Sequence, residues 1–253
     1  MTYKTDGSSH VDGIKNEQNL IERLQTQARQ LYPNLSNDYQ VVKRGGTSFK
    51  QDMEIVDGDR TILISAKKKT EIGQGSFDWV NSSAAAKSTP TIKTFVDRVK
   101  EIGKDCNIKG TARLGVMTAA HQALSDLTSN EVSTILRDHV ASKNEGMKII
   151  ISETSTGLNW EYSFEDSPLY DAIQNHTPKV MLGNGIDSAK VVFQNKAGET
   201  IDHGIRIRIV TNNGIGALIG QSKANKSSIG VVKIQQDNIP GLISGLGNKI
   251  RNF

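Results

Sequence analysis

Apolar residues recur at helical spacing early in the chain. Ile14, Leu20, Ile21, Leu24, Ala28 and Leu31 form one stripe that stops before Pro33. The pattern predicts an amphipathic helix from Gly13 and leaves residues 1–12, polar and Gly/Ser-rich, as a flexible arm. Beyond Pro33 the period shortens. Tyr39 to Arg44 reads as a strand and Gly45-Gly46 as a turn. The stretch GGTSFKQDMEIVDGDRTILISAKKK, residues 45–69, then reads as two strands joined by Asp57-Gly58-Asp59. Its run Ile62-Leu63-Ile64 suits a strand buried on both faces. Residues 71–88 read as a loop, and Pro90 opens a helix with Ile92, Phe95, Val96, Val99 and Ile102 on one side.

The pattern from Gly110 to Leu127 fits helix and strand equally. Thr128 with Glu131 three residues on is a capping box, opening a helix to about Val140. Met147 to Ser152 is an apolar strand, Leu158 to Phe164 alternates as its hairpin partner, and a short helix starts at Pro168. From Lys179 onward strands dominate: 180–182, 190–194, 201–210 and 229–236, with Pro240 opening a last helix. The expected class is α/β in the α+β sense, a mixed central sheet flanked by helices with a strand-rich C-terminal part. The divisions are a flexible arm at 1–12, a core at 13–153 and a strand-rich region at 154–253, either continuous with the core or separate from it.

Composition narrows the function without choosing it. Aromatics are 5% of the 253 residues, too few to favour a base-stacking platform for single strands. A net charge of +4 and a pI near 9.0 lean towards a polyanionic partner. Cys106 is the only cysteine, which excludes an intrachain disulfide and a cysteine-rich zinc site. The five histidines are scattered without metal-ligand spacing. No apolar run reaches the roughly 18 residues of a membrane span and no signal-type segment opens the chain. The expected setting is cytoplasmic, or host-cell cytoplasm for a phage-encoded protein, with no membrane partner.

Chemistry concentrates in residues 45–69. Residues two apart on a strand share a face, so Asp52 and Glu54 point together, as do Ser65, Lys67 and Lys69. An antiparallel hairpin brings these carboxylates and ammonium groups to one end of a sheet. Glu17 lies three and four residues before Leu20 and Ile21, on the apolar edge of its helix and not on its solvent face. The plain structural alternative is a solvated ladder of cross-strand ion pairs.

Glu17, Asp52 and Ser65-Ala66-Lys67 resemble the PD-(D/E)xK nuclease superfamily over about residues 13–105, and the strand at 147–152 extends the likeness. The family core is a helix, a three-stranded meander, a helix and a further strand. An acid stands on one strand, [DE]-x-K on the next, and a glutamate on the preceding helix often joins them. Ser65 departs from the pattern, standing where the family has an acid. The resemblance implies a restriction-endonuclease-like nuclease core at 13–153, with DNA recognition or dimer contacts at 154–253, and a Mg²⁺- or Mn²⁺-dependent, site-specific endonuclease of restriction or homing type acting on double-stranded DNA. It implies Glu17, Asp52 and Glu54 as metal ligands, with Glu54 the first substitute for the acid missing at Ser65 and Glu71 and Asp78 as outside candidates. Lys67 would assist the water or the phosphate. The rival reading is a non-catalytic DNA-binding or phage-type accessory protein with a degenerate nuclease fold, which Ser65 favours.

Further residues fit DNA contact. Lys69 follows the site, and Asn81 and Ser82 lie in FDWVNSS, whose Phe77 and Trp79 are better explained as core anchors. Asn213, Lys223 and Lys226 stand among small polar residues suited to phosphate. Arg206 and Arg208 alternate with isoleucines and share an outer strand face, and Lys43-Arg44 and Lys249/Arg251 are further basic clusters. No G-x4-G-K-[ST], G-x-S-x-G or K-x-D-G motif is present, so P-loop, serine-hydrolase and ligase readings are set aside. Cutting both strands with one site per chain calls for two chains, so a homodimer is expected.

Overall fold

The computed structural model describes residues 8–44, 51–69, 76–95, 97, 111–153, 157–183, 188–209 and 232–253. It is mixed α/β, with a mixed six-stranded sheet and an antiparallel five-stranded sheet plus helices. The chain divides into two compact units that interleave along the sequence, where the sequence pattern suggested one boundary after 153. One unit takes Met1–Phe77, Asn144–Ser167 and Ile239–Phe253, the other Asp78–Lys143 and Pro168–Asn238.

In the first unit, helix α1 spans Ser8–Leu31, beginning before the expected Gly13. Nothing in residues 8–12 breaks a helix, and extension of one already nucleated costs little. Its buried stripe begins at Leu20, because Ile14 is 44% exposed. Leu20, Ile21, Leu24, Ala28 and Leu31 cluster with Met53, Ile55, Ile62, Ile64 and Ile150, so α1 covers one face of the sheet. Strands β1 (Gln40–Lys43), β2 (Met53–Asp57) and β3 (Arg60–Lys69) form an antiparallel meander. Gly58 makes the β2–β3 turn possible with φ of +59°, in the region that favours glycine. Leu63 is only half-buried, so the expectation of burial on both faces holds for its neighbours' side and not for its own.

Taking the strands in chain order, β4 (Ser76–Ser82) belongs to the second sheet. β5 (Met147–Glu153) returns to pair parallel with β3. β6 (Asn159–Ser163) is antiparallel to β5, as its alternation predicted. The second sheet runs in the order β4, β10 (Val232–Asp237), β9 (Thr200–Ile209), β8 (Ser188–Gln194), β7 (Thr177–Leu182). Helix α2 is Ser83–Lys87, and α3 (Thr111–Ser125) and α4 (Ser129–Leu136) lie against β7. Helical residues also open at Pro90, as the sequence pattern predicts, and further helices include α5 (Pro168–Asn175) and α6 (Ile239–Leu246). Both bonds of the Thr128–Glu131 capping box form, and Thr91 adds two more donors to Glu131. FDWVNS is a strand, not part of a loop. Phe77 and Trp79 alternate inward, and the Trp79 indole donates to buried Gln236 at 3.2 Å while Asp78 pairs with Lys233 at 3.0 Å.

A short edge strand, β11 (Arg251–Asn252), completes the first sheet by pairing with β6. Arg251 lies opposite Glu161, which is 1% exposed, and donates to its Oε2 through Nε at 2.9 Å and Nη2 at 2.8 Å. The Tyr32 hydroxyl donates to Glu161 Oε1 at 3.0 Å, and a further Arg251 N–H reaches the Leu31 carbonyl. Burial, then the Glu161 charge and hydrogen bond, push the Tyr32 hydroxyl pKa up. Arg251 is thus a structural partner of Glu161. Replacing it by Ala strands a buried carboxylate, and urea unfolding is expected to show a loss of about 3 kcal/mol. Adding Glu161→Gln to that variant should recover part of the loss. Independent, additive effects would show that the pair is not coupled.

Candidate active site

Register decides which residues share the site. Met53 pairs with Ile64 and Glu54 with Leu63. Met53, Ile55, Ile62 and Ile64 face α1, so Glu54, Leu63, Ser65 and Lys67 belong to the opposite face. Asp52 enters β2 with its N–H on the Ile64 carbonyl at 2.9 Å, while Arg44 donates its own N–H to the Asp52 carbonyl at 2.9 Å. The Asp52 carboxylate reaches across to β3. Its Oδ2 accepts from the Ser65 hydroxyl at 3.2 Å and from the Ala66 N–H at 2.7 Å. Ser65 is 1% exposed, so these bonds hold Asp52 against a dry strand. Lys67, half-buried, lies one alternation beyond Ser65 and opposite Ile151 of β5.

Glu54 is buried and held by two donors. Arg44 Nε reaches Oε2 at 2.9 Å and Gln51 Nε2 reaches Oε1 at 2.6 Å. Burial pushes the Glu54 carboxyl pKa up. The hydrogen bonds from Gln51 and Arg44, with the Arg44 charge, outweigh it and hold the pKa below the usual carboxylate value. Glu17 is placed apart from this group. It pairs with Lys43 Nζ at 3.4 Å, and Lys43 lies beside Met53, on the face that α1 covers. Consecutive residues Lys43 and Arg44 therefore serve acids on opposite faces. Arg44 and Gln51 went unrecognised as partners of Glu54. The closeness of Lys43-Arg44 to the hairpin was the available signal, but it was read as a DNA contact.

Neither a protein-family model nor a curated protein nor a solved structure matches the chain. Among the described residues, no three of His, Cys, Asp and Glu gather around one point that a metal ion would occupy. Mg²⁺ at a phosphate-handling site needs less, one or two carboxylates together with substrate oxygens. Asp52 and Glu54, two residues apart on the Ser65–Lys67 face, fit that smaller requirement, and the structure does not join Glu17 to them.

The residues expected to contact DNA have varied surroundings. Lys69 ends β3, opposite Glu153. Asn81 is exposed near the end of β4, and the Ser82 hydroxyl caps α2 by accepting from Ala84 N–H at 3.1 Å. Arg206 is ion-paired with Asp237, and Arg208 lies opposite Lys233 and Ser188 in the second sheet. Asn213, Lys223, Lys226 and Glu71 lie outside the described residues.

The Glu54 cluster makes a pH prediction. Because its folded-state pKa is lowered, its stabilising contribution is present above the unfolded carboxyl's range and is lost as pH falls through the folded value. Urea unfolding in steps from about pH 7 to about pH 3 should show a shallower acid-side loss for Glu54→Gln than for the unsubstituted chain. Superimposable slopes would show that Arg44 and Gln51 do not favour the ionised form.

Proposed function

We propose that the chain is a PD-(D/E)xK-type nuclease, a Mg²⁺- or Mn²⁺-dependent, site-specific endonuclease of restriction or homing type acting on double-stranded DNA. One observation carries the reading: Asp52 meets Ser65 across the β2–β3 pairing, with Lys67 one alternation further along the same face. The order of elements supports it. α1 precedes an antiparallel β1–β2–β3 meander, a helical turn ends at Asn144, and β5 then pairs parallel with β3. This order resembles the helix, meander, helix and strand expected of a restriction-endonuclease-like core, with β4 and further helices inserted before β5.

Asp52 and Glu54 are the residues that would hold the cation. When bound, it would polarise the scissile phosphate and lower the pKa of a water. The chain's own groups then have separable tasks. The Ser65 hydroxyl and the Ala66 N–H fix the Asp52 carboxylate in one orientation. Arg44 and Gln51 keep Glu54 ionised. Lys67, on the same face, places positive charge where a phosphate would gain negative charge in the transition state, or orients the attacking water. A homodimer would supply one such site to each strand of a duplex.

Incubating supercoiled plasmid with the protein tests this, with Mg²⁺ and then with EDTA. Mg²⁺-dependent nicking or linearisation is expected. Asp52→Ala and Lys67→Ala should each slow it by about 10²–10³-fold. Activity that survives Ser65→Ala but not Glu54→Ala would make Glu54 the second ligand, and the reverse would give that role to Ser65.

One feature favours a second reading, a non-catalytic DNA-binding or phage-type accessory protein with a degenerate nuclease fold. A hydroxyl stands where the family has an acid, and both oxygens of Glu54 already have protein donors. Duplex retardation without cleavage, unchanged by the Asp52 and Lys67 substitutions, would decide for this second reading.

A further inference from the structure

On the α1 side of the first unit lies a cleft of about 240 Å³ that the nuclease chemistry does not use. Asn16, Asn19 and Arg23 line it from α1, Ser152 and Glu153 from the end of β5, and Asn159 from the start of β6. Ser152 is 6% exposed, and its hydroxyl oxygen is buried with no hydrogen-bond partner. A buried hydroxyl of this kind on the wall of a polar cleft is a group left for a ligand to satisfy. Among the described residues, no side-chain hydrogen bond engages the carboxamides of Asn16, Asn19 or Asn159, so each offers a donor and an acceptor.

The lining argues for a neutral ligand. Arg23 is already engaged: its Nε donates to Gln27 at 2.9 Å, another N–H reaches the Gly157 carbonyl, and its guanidinium stands 5.3 Å from the Phe253 ring centroid. Glu153 adds a carboxylate to the same wall, so the formal charges of the lining cancel, which suits a ligand without net charge. Carboxamides that each donate and accept match the edge of a nucleobase. The cleft is roomy enough for a single base. Strand register places Lys68 beside Ser152, so the end of β3 adjoins the cleft along the same sheet.

We propose that this cleft binds a single nucleobase taken from a DNA strand. The proposal rests on the reading of the chain as a DNA-directed protein. The carboxamides of Asn16, Asn19 and Asn159 read the base edge, and the Ser152 hydroxyl receives the partner it lacks.

The test uses the full chain and duplexes carrying 2-aminopurine at successive positions, whose fluorescence rises when the base leaves the stack. Binding should raise emission several-fold at one position. Asn19→Ala, on the exposed side of α1, and Ser152→Ala should each remove most of that rise while leaving gel retardation within about threefold. Free nucleosides should shift the Asn16 and Asn19 side-chain amide resonances, and inorganic phosphate should not. Retardation or cleavage with no emission rise and no nucleoside shift would overturn the cleft and leave the nuclease reading standing. Nucleoside shifts without any retardation or cleavage would uphold base binding and sink the DNA reading on which its source depends. Shifts with phosphate alone would overturn the nucleobase assignment.

Discussion

The pairing of Met53 with Ile64 is the constraint on which the first unit depends. It sends Met53, Ile55, Ile62 and Ile64 into the cluster beneath α1 and, by the same alternation, sends Glu54, Ser65 and Lys67 to the other face. A slip of one residue would exchange the two sets, pressing a carboxylate and a lysine into the apolar cluster and exposing the isoleucines. Core and site are therefore one choice of register. The free energy that keeps the isoleucines dry also keeps Asp52 opposite Ser65.

Charge is used locally. Lys43 holds Glu17, Arg44 holds Glu54, Arg206 holds Asp237 and Arg251 holds Glu161. These basic residues were grouped in the sequence as surfaces that would flank a duplex. The structure assigns each an internal partner, and a net charge of +4 is consequently no map of a nucleic-acid footprint. The Arg44 and Arg251 pairs lie deeper than the others, since Glu54 and Glu161 are buried while Glu17 and Asp237 keep contact with water.

Local rules were legible where one short-range interaction decides the outcome. The α1 stripe, the Gly58 turn, the Thr128–Glu131 box and the hairpin of β5 with β6 all follow from spacing and turn chemistry. The strand at FDWVNS was not, because its partner β10 is remote in sequence and a two-residue alternation of aromatics resembles loop anchoring. In the site, the meeting of Asp52 with Ser65 follows from hairpin parity alone. The separation of Glu17 does not, because it depends on which sheet face α1 covers. Nor do the partners of Glu161, which come from α1 and β11, far apart in the chain.

The parallel pairing of β3 with β5 has a consequence for assembly. Between them the chain passes through the whole Asp78–Lys143 segment of the other unit, and the outermost strand of the same sheet comes from Arg251–Asn252. The first sheet is stitched from sequence-distant pieces, so its loop-closure entropy is high and its contact order large. During synthesis the β1–β2–β3 meander emerges early and waits with the β3 edge open until Met147–Glu153 arrives. Lys67, Lys68 and Lys69, placed at the end of that waiting edge, are residues of the type that discourages strands of different chains from joining there.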